Sequence, residues 1–212
     1  MHTSCKKRLA AASCRLKIDD IYIKLHDFLA VVNKVAHRIK YNIYSLKFIK
    51  IGRFYMNNKA IQDLYPDKYS LCYGCGRLNE NGLKIKTYWN GREGVCSFYP
   101  ERDHLSLPGF VYGGLIASLI DCNSTATAAA AAYQAEGREF GSKPDIRFVT
   151  ASLHVDYLKP APIEGPLELR SYVKEVRERR IIITTELKAG NVLCAKGEVA
   201  AAGIPAAMEQ AK

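Results

Sequence analysis

Between Ser70 and Ala201 the order of apolar and polar residues predicts two short strands, one long helix, one long strand and a three-strand meander. Leu83–Trp89 alternates with period two, Asn90-Gly91 suits a hairpin turn, and Gly94–Tyr99 reads as the returning strand. Pro100 to Pro108 reads as an irregular connection. The helix opens at Gly113-Gly114 and runs to about Gln134 without another glycine or proline. Leu115, Ile116, Leu119 and Ile120 are followed by small residues on every side, so this helix has little polar face. A helix apolar all round is normally buried. After Gly137 and Gly141 comes a strand from about Ile146 to Leu158, ended by Lys159-Pro-Ala-Pro162. Strict alternation puts Val149, Ala151, Leu153, Val155 and Tyr157 on one face, and Thr150, Ser152, His154 and Asp156 on the other. The meander is Leu167–Val176, Ile181–Lys188 and Val192–Ala201, the last two joined near Gly190-Asn191.

Strands and helix are segregated rather than alternating, which predicts an α+β fold with an antiparallel sheet. A single helix must cover that sheet, so the sheet is expected to curl around it. One carboxylate, Asp121, stands two turns into the apolar helix. Lone carboxylates are rarely buried without a partner or a function. Bonding to Ser124, Thr125 or a backbone amide is the structural alternative to a chemical role.

Residues 1–55 differ from the rest. Ile21, Leu25, Phe28, Leu29, Val32, Val35, Ala36 and Ile39 recur at helical spacing among Lys24, Lys34, Arg38 and Lys40. This basic amphipathic segment reads either as a targeting or membrane-surface element or as the product of a start assigned upstream of Met56. The expected division is therefore 1–55 as an extension and 56–212 as one domain. The extension also carries the charge. Of the formal +10, residues 1–55 hold twelve Lys and Arg against three Asp, leaving 19 basic and 18 acidic groups beyond. A nearly neutral domain argues against nucleic-acid binding.

The seven cysteines are Cys5, Cys14, Cys72, Cys75, Cys96, Cys122 and Cys194. An odd count without a signal-peptide pattern points to a reducing compartment and an expected cytoplasmic location. No apolar run is read as approaching the ~18 residues of a membrane span. Cys72-x-x-Cys75 invites a zinc reading, but a structural zinc needs four ligands, usually from a second pair. Neither a second Cys-x-x-Cys nor a closely spaced His pair is present, so the motif reads as a Gly-rich turn and no metal is expected.

Three stretches together resemble the hotdog-fold acyl-CoA thioesterases of the phenylacetic-acid-degradation type, over about residues 68–203. They are Cys72-x-x-Cys75-Gly76 followed by Asn-x-x-Gly-Leu, Pro108-Gly-x-x-Tyr112-Gly113-Gly114-x-x-Ala-x-x-x-Asp121, and Thr150-Ala-Ser-Leu-x-Val-Asp-Tyr-Leu-Lys159-Pro160. The resemblance implies a long central helix wrapped by a curved antiparallel sheet, with protomers pairing their sheets and active sites between them. It also implies a role for three residues: Gly113 N–H at the thioester carbonyl, Asp121 as base or nucleophile, and Thr150 orienting the acid or water. Acyl-CoA is the implied substrate, the assembly a homodimer or homotetramer, and no cofactor is called for. The chain departs from the family at Tyr112, where His is common, and at His104-Leu-Ser106, where Asn or Gln is common. Tyr112, His104, Ser106, Gly114, Ser124 and Lys159 are the expected substrate-binding positions. For Lys159 the choice lies between a CoA phosphate and solvent.

Chemistry and spacing agree with this. Thioester hydrolysis needs a donor for the developing oxyanion and a base or nucleophile near the carbonyl carbon. The free N–H groups of a helix start are suitable donors. Gly113 and Asp121 are eight residues apart, about 12 Å along one helix, too far to touch one carbonyl. Two antiparallel helices across a two-fold axis would bring them together. The rival expectations are an acyl-CoA-binding protein without turnover, and an enoyl-CoA hydratase or dehydratase. The last usually needs His with an acid, and no His lies in or beside the helix.

Overall fold

The computed structural model describes residues 59–177 and 180–204. The basic segment 1–55 and the alternative start at Met56 lie outside the described residues. The strands are β1 (Tyr88–Trp89), β2 (Glu93–Phe98), β3 (Leu105–Leu107), β4 (Phe110–Val111), β5 (Phe148–Tyr157), β6 (Leu167–Arg177), β7 (Arg180–Ala189) and β8 (Val192–Gly203). The long helix, α1, spans Gly113–Ala135. Six strands form one sheet in the order β1-β2-β6-β7-β8-β5, every neighbouring pair antiparallel, and β3 pairs with β4. The sheet packs around α1, which touches β2, β5, β6, β7 and β8. This is the α+β hotdog arrangement, one helix wrapped by a curved antiparallel sheet.

Leu115, Leu119, Ile120, Ala126, Ala128, Ala129 and Ala130 are fully buried. Each large side chain so buried contributes roughly 1.5–3 kcal/mol relative to exposure. By length and composition α1 does meet the requirement of a membrane span, which corrects the reading that no apolar run approaches one. Its apolar surface is taken up by the sheet instead. The helix is also less uniformly apolar than its sequence suggests. Asn123, Ser124 and Thr127 are all buried. Asn123 Nδ2 donates to Ser171 Oγ (2.6 Å) and to Gly94 O (3.3 Å), while Thr185 Oγ1 meets both Ser124 Oγ (2.8 Å) and Ser171 Oγ (2.5 Å). Thr127 bonds back to Asn123 O at 2.6 Å. Gly94 is glycine because a Cβ there would run into Thr127.

Two predicted elements differ. The first strand is confined to Tyr88–Trp89, since the backbone before it bonds elsewhere. Leu83 N–H goes to Tyr73 O, Ile85 N–H to Gly74 O, and Thr87 N–H to the side chain of Gln62. Lys84, with φ of 56°, also breaks the extended run. The stretch from Pro100 to Pro108 is not wholly irregular: a 3-10 turn at Arg102–His104 leads into β3.

Candidate active site

The alternation expected along β5 is interrupted. Thr150 pairs with Ala201 and Ser152 with Ala200, so Ala151 is an extra residue in a β-bulge. Residues before the bulge therefore exchange faces. Thr150 shares the inner face with Leu153, Val155 and Tyr157, and Val149 is turned outward, correcting the face assignment made from strict alternation. Thr150 Oγ1 consequently reaches α1 and donates to Asp121 Oδ1.

Asp121 is partly buried on α1. Burial pushes its carboxyl pKa up, the Thr150 hydroxyl pulls it down, and the nearby Cys72 raises it. Its side chain is thus bonded to Thr150 and not to Ser124 or Thr125; Thr125 bonds to its backbone carbonyl, at 3.1 Å. The result is a carboxylate with one hydroxyl donor, the only charged side chain of α1.

The other end of the site is the start of α1. Tyr112 is the N-cap with φ −73° and ψ 145°, and no side chain caps the helix. Its carbonyl accepts from Leu115 (3.1 Å) and Ile116 (3.5 Å). The amides of Gly113 and Gly114 are left as free donors, as in any uncapped first turn. Tyr157 Oη donates to Gly113 O at 2.9 Å, and its ring lies where a Cβ on Gly113 would meet it at 3.3 Å. The Tyr112 ring lies over Gly114, so that a Cβ there would collide with it. Tyr157 was expected only as a face residue; with the bulge placed, it lies on the same face as Thr150.

The remaining expected residues divide. His104 holds the approach to the helix: its Nδ1 accepts Glu101 N–H at 2.9 Å, its carbonyl accepts Tyr112 N–H at 2.9 Å, and its ring packs at 5.7 Å from Phe98. Ser106 lies exposed on β3 and Lys159 exposed just past β5. Ser124 is not brought to the site, because its hydroxyl faces the sheet and bonds Thr185. The other His of the domain, His154, lies exposed with Nε2 3.1 Å from Asp156 Oδ1. Along one chain, Gly113 and Asp121 are separated by an unbroken helix, about 12 Å.

One neighbouring group has no counterpart in the expectations. Cys122, next in sequence to Asp121, lies against the Cys72–Cys75 turn, and the three sulfurs are all within 4.8 Å of one another. Hydrogen bonding from Cys122, and then from Cys75, lowers the pKa of Cys72. No sequence signal joined Cys122 to a turn nearly fifty residues earlier.

The thioesterase superfamily model matches residues 108–196. A thioesterase superfamily protein from Shewanella loihica PV-4, of known crystal structure, is 41% identical. That match covers 66% of this chain and 100% of that one, with a TM-score of 0.50. Acyl-coenzyme A thioesterase THEM4 of Rattus norvegicus is 28% identical over 109 residues, which are 50% of this chain and 41% of that protein. Its Xenopus laevis counterpart is 31% identical over 109 residues, covering 50% and 43% respectively. The chain accounts for less than half the length of these two curated relatives. Identity of 41% carried along the whole Shewanella protein is a match of an entire domain, and on it the chain belongs to the thioesterase superfamily.

Proposed function

We propose that the chain hydrolyses acyl-CoA to the free acid and CoA, in an active site shared by two copies. The observation that carries this reading is Asp121, the only charged side chain of α1, partly buried and bonded to Thr150. Attack on a thioester places negative charge on the carbonyl oxygen. The Gly113 N–H, at the positive end of the helix dipole, is suited to receive it. Asp121 either takes a proton from the attacking water or attacks the carbonyl carbon itself, forming an anhydride that water then opens. Both routes expel CoA thiolate, and neither calls for a group beyond chain, water and substrate. The names of the curated relatives favour acyl-CoA as the thioester. Lys159, exposed at the end of β5, is proposed to meet a CoA phosphate.

The ~12 Å between Gly113 and Asp121 supports a site completed by a second copy. Among the described strands the edge strand β5 is bonded only to β8; it carries the exposed Leu153 and Tyr157, with the exposed Leu158 just past its end. Pairing of two copies along β5 would continue the sheet and lay their helices antiparallel, bringing Asp121 of one toward Gly113 of the other. A homodimer is thus the working unit, and a homotetramer of two such dimers serves equally.

The test is thiol release from short, medium, long-chain and aryl acyl-CoAs by the wild type and Asp121→Asn. Turnover that persists undiminished in the variant removes Asp121 from the mechanism. A second reading, binding without cleavage, draws on the Tyr112 ring that covers Gly114. Protection of acyl-CoA from chemical hydrolysis without turnover would favour it.

A further inference from the structure

Cys72, Cys75 and Cys122 bring three sulfurs from two elements to one point, all within 4.8 Å of one another. Cys75 and Cys122 are buried and Cys72 is exposed. A tetrahedral zinc with Zn–S of ~2.3 Å holds its sulfurs about 3.8 Å apart, so contraction by about 1 Å or less would close the set. The turn is already shaped for this. Gly76 N–H bonds Cys72 O at 2.8 Å and closes the turn. Gly74 is glycine because a Cβ there would occupy the space of Cys122 Sγ, so the absent side chain lets the turn close on the helix.

We propose that Cys72, Cys75 and Cys122 form a three-thiolate zinc site that fastens the Gly-rich turn to α1 one residue beyond Asp121. Three soft ligands exclude magnesium and calcium and select a thiophilic ion. Zinc, a d10 ion without redox chemistry, leaves the thiols unoxidised. Among the described residues three ligands converge, so the fourth position falls to water on the exposed, Cys72 side. Zinc with three thiolates carries a net charge of −1. The Arg147 guanidinium acts electrostatically on Cys75 and stacks 3.3 Å above the Tyr65 ring, with Nε lacking a partner, and supplies the opposing charge. Binding releases the thiol protons to solvent. With water as the fourth ligand the zinc is four-coordinate on three protein groups; it fixes where Asp121 sits and takes no part in the hydrolysis.

The full chain, reduced and stripped with a chelator, is titrated with Co2+ and then with Zn2+. One equivalent of Co2+ should produce intense near-ultraviolet thiolate charge-transfer absorption, which Zn2+ abolishes. Cys122→Ser should lower that absorption by about a third and weaken binding roughly tenfold or more, while the Cys5→Ser/Cys14→Ser double variant keeps both. Alkylation mapped by mass spectrometry on the unmutated chain covers the case in which Cys122→Ser does not fold. Zn2+ should slow labelling of Cys72, Cys75 and Cys122 and leave the other cysteines unchanged. Absence of the charge-transfer band with all thiols reduced overturns the proposal. So does a band undiminished in Cys122→Ser, or a Cys72–Cys75 disulfide in place of metal binding.

Discussion

Thr150 on β5 donates its hydroxyl to Asp121 on α1, and it does so only because Ala151 is an unpaired bulge residue. Were Ala151 a regularly paired ladder residue, the inward set of Leu153, Val155 and Tyr157 would place Thr150 on the outer face. Bulges beside active sites commonly re-aim one side chain in this way. Deleting Ala151 should therefore leave a regular ladder in which Thr150 and Phe148 still face the helix, because Thr150 already pairs with Ala201 and Ser152 with Ala200. The expected result is turnover well above that of Thr150→Val, with circular dichroism still showing the sheet. A loss as large as that of Thr150→Val would mean that the local geometry of the bulge, and not the inward face alone, aims the hydroxyl at Asp121.

Thr150→Val itself removes one hydrogen bond to a carboxylate, worth about 1.5–3 kcal/mol. If that bond only orients Asp121, kcat should fall about tenfold or somewhat more while KM stays near the wild-type value. Asp121→Asn removes the base or nucleophile, and a loss of roughly 10²–10⁴-fold in kcat is expected with unchanged thermal stability. Steady-state thiol release on both variants separates the residue that reacts from the one that positions it. Equal losses would place both in the chemistry.

Much of this site was legible in the chain because its signals are local. Gly113-Gly114 and Asp121 lie on one helix, and a run of apolar residues free of proline announces that helix whatever surrounds it. The meander strands were legible for the same reason, each with its own period of two. What was not legible depends on residues far apart. The bulge at Ala151 follows from register against β8, and alternation in β5 alone contains no trace of it. Ser124 looked free for substrate because its partner, Thr185, lies 61 residues away. Cys122 likewise stood alone until the fold set it beside Cys72 and Cys75.

The buried polar chain through Asn123, Ser171, Thr185 and Ser124 makes a separate claim about stability. Its members are buried and bonded mostly to one another, so truncating one strands another. Thr185→Val should cost about 1–3 kcal/mol, as should Ser171→Ala. Because the two share a bond, the double variant should lose less than the sum, with a coupling of roughly 0.5–3 kcal/mol. Urea denaturation of the four proteins measures it. Strict additivity would show the two hydroxyls acting independently.

The strongest test of a shared site uses the helix start. Gly113 is the first helical residue, where proline is tolerated because the missing N–H has no partner within the helix. Tyr112, at φ −73° and ψ 145°, already has the extended conformation that a following proline demands. Gly113→Pro should thus leave the fold intact apart from a small shift of the Tyr157 ring, and should delete the oxyanion donor. A loss of about 10²–10³-fold in kcat is expected. Mixing it with Asp121→Asn then discriminates between arrangements. If each site takes its acid from one copy and its amide from the other, a mixed dimer has one site with both defects and one with neither. Two nearly inactive variants should then recover substantial activity once their subunits exchange, and the recovery should follow the fraction of mixed dimer. If Gly113 and Asp121 served one site within a single copy, every site in the mixture would keep a defect and no activity would return.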